Sequence, residues 1–332
     1  MSNSTSLIKA VIISALLLLL PMAARAGNWT SGSVTNAAGS RNYKLWVPAA
    51  YNGKRALPLV MMLHGCTQTP EDFAAGTHMN VLAEKQSFLV VYPEQPSSAN
   101  LYKCWNWFDP AHQSRGGGEP SLLALIVNNV SENYKVDARR IYVAGSSAGG
   151  AMAVIMGATY PDLFAAVSVH SGLAYKSATS LNEGLAAMKS GGANPAHLGQ
   201  LAYEALGEAM SKARHTMPVI VFQGAKDTVV SPVNADQVIT QWARTNDYLD
   251  DAKANNSVDD VADKTIEGSV PGGYAYKRLI YNDHRGRPLM EKWIVEELKH
   301  AWSGGAGTSY TDPKGPDASQ EMWRFFQQTR RP

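Results

Sequence analysis

Leu57–Leu63 is an unbroken apolar run that stops at His64-Gly65, the pattern of a strand covered on both faces. Segments 88–92, 141–144, 165–169 and 219–222 repeat it, so parallel strands are expected there. Between them, apolar residues recur at helical spacing over 71–85, 121–134, 148–160 and 232–244, the last opened by Pro232, which suits a first helical turn. Strand and helix alternating in this way predict an α/β protein with one doubly wound, mostly parallel sheet and helices on both faces.

Two stretches interrupt the alternation. Segment 173–215 is rich in Ala, Gly and Met with weak helical periodicity and is expected to form a cap-like insertion. Segment 246–273 is polar and Gly-containing and reads as a surface excursion with little structure of its own. Further on, 274–281 and 289–295 predict a strand pair around the turn Asp283-His284-Arg285-Gly286, and Ala318–Gln327 predicts a terminal helix.

Composition adds the compartment. The chain is 45% hydrophobic and 17% charged with a net charge of +2, enough to bury a core and too mild for a nucleic-acid partner, which needs a clustered basic face. Lys9 precedes an apolar run from Ala10 to Leu20, then Pro21 and Ala24-Arg25-Ala26. That run is shorter than the roughly 20 residues a bilayer span needs and ends in small residues, so 1–26 predicts a secretory signal peptide rather than a membrane anchor. Residues 27–332 then form a single catalytic domain, secreted as the mature protein. Export also sets the reading of the two cysteines: Cys66 and Cys104, the only pair, are expected to form a disulfide and not a metal site.

Candidate chemistry centres on Gly145-Ser146-Ser147-Ala148-Gly149, which follows one strand and opens a helix. A serine on such a turn needs glycines two positions before and after it, where neighbouring elements approach. Ser147 has both, whereas Ser146 is flanked by Ala144 and Ala148. A serine hydroxyl needs a base and a group to orient that base, and in this arrangement both follow the serine in the chain. Of eight histidines, His64, His78 and His112 come before Ser147. His170 comes too soon after it, His197 and His215 fall in the insertion, and His284 sits in a turn. His300 remains, opening the loop His300-Ala301-Trp302-Ser303-Gly304-Gly305. The candidate acid is Asp227, the first acidic residue in the loop after the 219–222 strand; Asp236 and Asp283 are weaker alternatives, and Asp at 227 could also serve as a helix cap or turn residue. The candidate oxyanion donors are the N–H groups of Ala148 and of a residue in His64-Gly65-Cys66-Thr67-Gln68, for which Cys66 is expected. Gln68 is a candidate substrate contact. Trp105 and Trp107 have two open readings, rim of the site or core packing; Trp302 is expected to line the acyl or alcohol pocket.

The successive motifs Leu63-His64-Gly65-Cys66-Thr67-Gln68, Cys104-Trp105-Asn106-Trp107-Phe108, residues 144–152, Tyr160-Pro161-Asp162 and His300 to Gly305 resemble the poly(3-hydroxybutyrate) depolymerase-related esterases, an α/β-hydrolase family. The resemblance spans roughly residues 43–326. It implies a triad of Ser147, Asp227 and His300, an acyl-enzyme formed without metal or cofactor, and a polyester or oligoester substrate. The family's extracellular polyester depolymerases often carry a linker and a separate polymer-binding domain; neither is read in this sequence, which leaves room for soluble oligomers or amorphous polyester. Related members implied as alternatives are feruloyl esterases, acetylxylan esterases and polyaspartate hydrolases. From another class comes a non-catalytic polymer-binding protein, against which the retained Ser147 and His300 speak.

Overall fold

The computed structural model describes residues 26–211, 215–308 and 310–332; the signal peptide read at 1–26 lies outside them, apart from Ala26. Ten strands make one sheet: β1 Asn28–Asn36, β2 Gly39–Val47, β3 Leu57–Leu63, β4 Leu89–Pro93, β5 Val136–Ser146, β6 Ala166–His170, β7 Val219–Gly224, β8 Lys264–Ser269, β9 Ala275–Asn282 and β10 Pro288–Val295. Their order is β1-β2-β4-β3-β5-β6-β7-β10-β9-β8. From β4 to β10 the neighbours run parallel, and an antiparallel pair closes each side.

The helices are α1 Pro70–Thr77, α2 Met79–Gln86, α3 Gly118–Asn133, α4 Ala148–Thr159, α5 Leu181–Ser190, α6 Pro195–Ser211, α7 Val233–Asp251 and α8 Ala318–Gln327. The continuous apolar strands are explained by two separate cores. Leu59, Met61, Val143 and Val169 face one side, packed with Ile126, Met152, Val238 and Trp242. Val60, Met62, Tyr142 and Phe222 face the other, packed with Phe73, Met79, Met322 and Phe326. On that second side Phe88 stacks on Trp323 at 4.0 Å and Tyr142 on Phe326 at 4.5 Å, pairs that contribute about 0.5–1.5 kcal/mol each beyond burial.

Two expectations need correction, and one element was not anticipated. The helix over 71–85 is two helices, broken at His78 with φ 57°. Carbonyls that a continued helix would use are taken by the C-terminal segment, Ala306 N–H donating to Gly76 and Ser319 Oγ to Thr77. The 246–273 excursion is more ordered than its polarity suggests: α7 runs on to Asp251, and β8 adds an edge strand. Buried polar residues hold this extension, with Asn246 clamping both backbone groups of Met217 at 2.7 and 3.0 Å and Asp247 accepting from Ser257 and Arg244. The β1–β2 hairpin carried no strand expectation, because most of its residues are polar and its apolar ones are divided between faces, Tyr43, Leu45 and Val47 on one core and Trp46 against the other.

Candidate active site

Ser147 sits at the junction of β5 and α4 with φ 56° and ψ −122°, a strained conformation that exposes its side chain. Tight backbone contacts enforce it. A Cβ on Gly145 would lie 2.1 Å from the Gly149 carbonyl oxygen, and one on Gly149 would lie 2.1 Å from that of Leu63. The Ser147 N–H donates to the His170 carbonyl at 2.9 Å.

Asp227 follows β7 and His300 follows β10, and these two strands are paired in parallel. The carboxylate and the ring therefore meet although 73 residues apart, with His300 Nδ1 2.7 Å from Asp227 Oδ2. Asp227 is 4% exposed. Its Oδ1 accepts the N–H groups of Val229 and Val230, both at 2.9 Å, and Gln223 Nε2 donates to Oδ2 at 3.2 Å. Burial pushes this carboxyl upward, but the His300 hydrogen bond and charge and the Val230 and Val229 N–H groups together hold it below the usual aspartate value.

Ser147 and His300 line one cavity of about 220 Å³, shared with Gly65, Cys66 and Gln68 and closed by Met188, Val229, Ala301 and Tyr310. Among the described residues, no acceptor is present for the N–H of Cys66 or of Ala148. Gly65 is close to the serine: a Cβ added to it would be 3.5 Å from Ser147 Cβ. The loop carrying Cys66 is pinned on every side. The Cys66–Cys104 disulfide is formed, Thr67 N–H donates to Tyr102 at 2.7 Å, and Gly65 N–H donates to Gln68 Oε1 at 2.9 Å. His64 receives the Gln95 N–H on Nε2 at 3.1 Å. Its proton is therefore on Nδ1, which donates to the Gly65 carbonyl at 2.7 Å. Burial lowers this ring to about 4, so it stays a neutral strut.

Not every expected site residue reaches the cavity. Gln68 does, and with Oε1 taken by the Gly65 N–H its Nε2 has no acceptor among the described residues. Trp302 does not: 1% exposed, it packs edge-on to Phe73 and stacks on His170, with Nε1 donating to Ser319. Trp105 is fully buried, and its Nε1 donates to the His64 carbonyl at 3.1 Å. Both indoles hold loops of the site from behind and contact no substrate space, since an indole N–H with an internal acceptor is cheaper to bury than one facing a pocket. A buried carboxylate behind the disulfide segment had no sequence signal. Glu119, 1% exposed at the start of α3, accepts from Gln95 Nε2 and from both N–H groups of Asn106, at 2.8 and 2.7 Å. Gln95 also donates to the Cys104 carbonyl at 2.9 Å, so this carboxylate anchors the disulfide segment.

A parallel sheet that carries a serine elbow after one strand and an acid and a histidine after two later ones is the architecture of an α/β-hydrolase. The esterase PHB depolymerase family model matches residues 41–264, and the chain belongs to that family. Poly(3-hydroxyalkanoate) depolymerase C of Paucimonas lemoignei is 33% identical over 255 residues, covering 76% of this chain. The match spans 56% of that depolymerase, little more than half its length. Feruloyl esterase B of Neurospora crassa is 31% identical over 306 residues, 90% of either chain. Among solved structures, an acetyl xylan esterase from Aspergillus awamori superimposes with a TM-score of 0.69 at 22% identity, covering 90% of this chain and 99% of that one. No helix among the described residues is long and apolar enough to cross a membrane.

Proposed function

We propose that this protein is a serine esterase that hydrolyses short-chain hydroxyalkanoate polyester or its oligomers through an acyl-enzyme. The observation that carries it is the cavity lined by Ser147, His300 and Cys66, with Asp227 hydrogen-bonded to His300 and Ala148 following Ser147 in the chain. His300 takes the Ser147 proton as Oγ bonds to the ester carbonyl carbon, and Asp227 keeps the imidazole in the tautomer that can accept it. Charge on the carbonyl oxygen is met by the N–H groups of Cys66 and Ala148. The C–O bond to the alcohol breaks as His300 returns the proton to the departing oxygen, and water repeats the sequence on the acyl-serine. The small, largely apolar lining from Met188, Val229 and Ala301 suits a short acyl unit, and the Gln68 Nε2 suits an oxygen on it. The identity to a poly(3-hydroxyalkanoate) depolymerase supports the polyester.

A second substrate, a feruloyl or acetyl ester of plant cell wall, has the support of the feruloyl esterase relative. Ser147→Ala should abolish p-nitrophenyl butyrate hydrolysis; retained turnover would sink the proposal. Release from hydroxybutyrate oligomers compared with feruloylated and acetylated xylan separates the two substrates. Export is proposed as well, and a mature N-terminus at Gly27 in protein from the medium or periplasm would support it.

A further inference from the structure

His170 is too early in the chain to be the base, yet it is among the most constrained side chains near the site. It ends β6, is fully buried, and its ring lies between Trp302 at 4.9 Å and Phe222 at 5.8 Å. Its carbonyl accepts the N–H of Ser147 at 2.9 Å. On the other side, its Nε2 is 3.0 Å from the N–H of Ser303, three residues past His300. A backbone N–H can only donate, so Nε2 carries a lone pair and the proton sits on Nδ1, 3.2 Å from Ser171 Oγ. One residue thus grips the nucleophile's backbone with its own backbone and the base's loop with its side chain.

We infer that His170 is a positioning residue that sets the separation of Ser147 from His300 by clamping the elbow to the His300 loop. The inference rests on the triad proposed above. The loop has few other ties of this directness. Ser303 Oγ donates to the Pro316 carbonyl at 2.7 Å, and Trp302 and Ser303 pair with Thr311 and Asp312, contacts that fix the loop to its own C-terminal continuation and not to the elbow. A protonated ring would turn Nε2 into a second donor facing the Ser303 N–H. Burial, with the neighbouring His300 charge acting in the same direction and Asp227 opposing, lowers His170 to about 3 and keeps the acceptor in place.

The test compares replacements that keep or remove an acceptor at the Nε2 position. His170→Gln can place Oε1 there; His170→Asn is too short; His170→Phe keeps the stacked ring and has no acceptor. Loss of the acceptor leaves a buried N–H unpaired and lets the base shift relative to the nucleophile. For Asn and Phe the expected result is a kcat about ten- to a hundredfold lower, with KM within about threefold of wild type. Gln should recover kcat to within about threefold. Phe88→Leu, in the core remote from the cavity, serves as a stability control that lowers Tm without lowering kcat. The inference is overturned if Gln is as slow as Asn, if Phe retains wild-type kcat, or if kcat follows Tm across the whole set including the control. Should Phe fail to fold, the Asn and Gln pair decides. Wild-type kcat in His170→Phe beside an inactive Ser147→Ala would reject the clamp and leave the triad standing; an active Ser147→Ala would reject the triad itself.

Discussion

Replacing Asp227 by Asn changes one atom and reverses one hydrogen bond. Oδ1 of Asp227 accepts two backbone N–H groups, from Val229 and Val230, each at 2.9 Å. Neither donor can become an acceptor, so the asparagine must put its oxygen there and its NH2 at the Oδ2 position. That NH2 then points at His300 Nδ1, 2.7 Å away in the wild type, and at Gln223 Nε2, itself a donor, at 3.2 Å. The imidazole can satisfy the new donor only by moving its proton to Nε2, and in that tautomer it cannot take the proton of Ser147. Such a tautomer inversion costs about 10⁴-fold in kcat, about 5.5 kcal/mol of barrier at roughly 1.4 kcal/mol per tenfold. Stability should fall by only about 1–3 kcal/mol, the cost of the donor–donor conflict. Steady-state kcat on p-nitrophenyl butyrate, with circular dichroism and urea unfolding on the same preparation, measures both. A folded Asp227→Asn protein with kcat within tenfold of wild type would refute the assignment. Asp236 and Asp283 make poor substitutes, as both are engaged elsewhere, by Lys292 and by Arg287.

Gly149→Ala should yield no active folded protein, since the added Cβ meets the carbonyl oxygens of Leu63 and His64 at 2.1 and 2.6 Å; soluble expression with wild-type activity would contradict this. Trp302→Ala should cost about 3–5 kcal/mol in urea unfolding as a core cavity, while Trp302→Phe leaves KM for p-nitrophenyl butyrate unchanged. Double replacement of Cys66 and Cys104 by Ser should cost about 4 kcal/mol from the freed 38-residue separation and lower kcat through the Cys66 N–H, read by paired unfolding and turnover assays. Stability should also fall with acid. His64 and His170, lowered to about 4 and about 3, lie below the unfolded value of about 6.5. Their contribution is complete above about pH 6.5 and is lost as pH falls toward the folded values, because the unfolded chain binds the extra protons. Each histidine adds a slope of up to about 1.4 kcal/mol per pH unit in that window. Equal urea midpoints at pH 7.5 and pH 5 would show that these rings are not held neutral.

The central strands could be read from the chain because burial on both faces writes a continuous apolar run, as in Leu57–Leu63. The elbow could be read because the two glycines around Ser147 answer a backbone clash that no other residue tolerates. What escaped was set by partners distant in sequence. Tyr43, Leu45 and Val47 fall at every second position of β2 and share a core with Val34 of β1, a period-two signal that would have found the hairpin. The roles of His64, His170 and Glu119 carry no local signal at all, since each is defined by hydrogen bonds to residues between 13 and 133 positions away. Trp302 misled because nearness in sequence to His300 says nothing of which side of the loop a side chain takes.

The pairing of β7 with β10 has a consequence in time. Asp227 and His300 meet only when residues 219–224 find residues 290–295, the last parallel partnership of the ten-stranded sheet to become available as the chain is synthesised. Ser147, its elbow and the disulfide loop can all be in place well before that. Under the proposed triad, a partly synthesised or partly folded chain therefore presents an alcohol without a base, and hydrolytic power arrives in one step with the docking of the final parallel strand of the ten-stranded sheet.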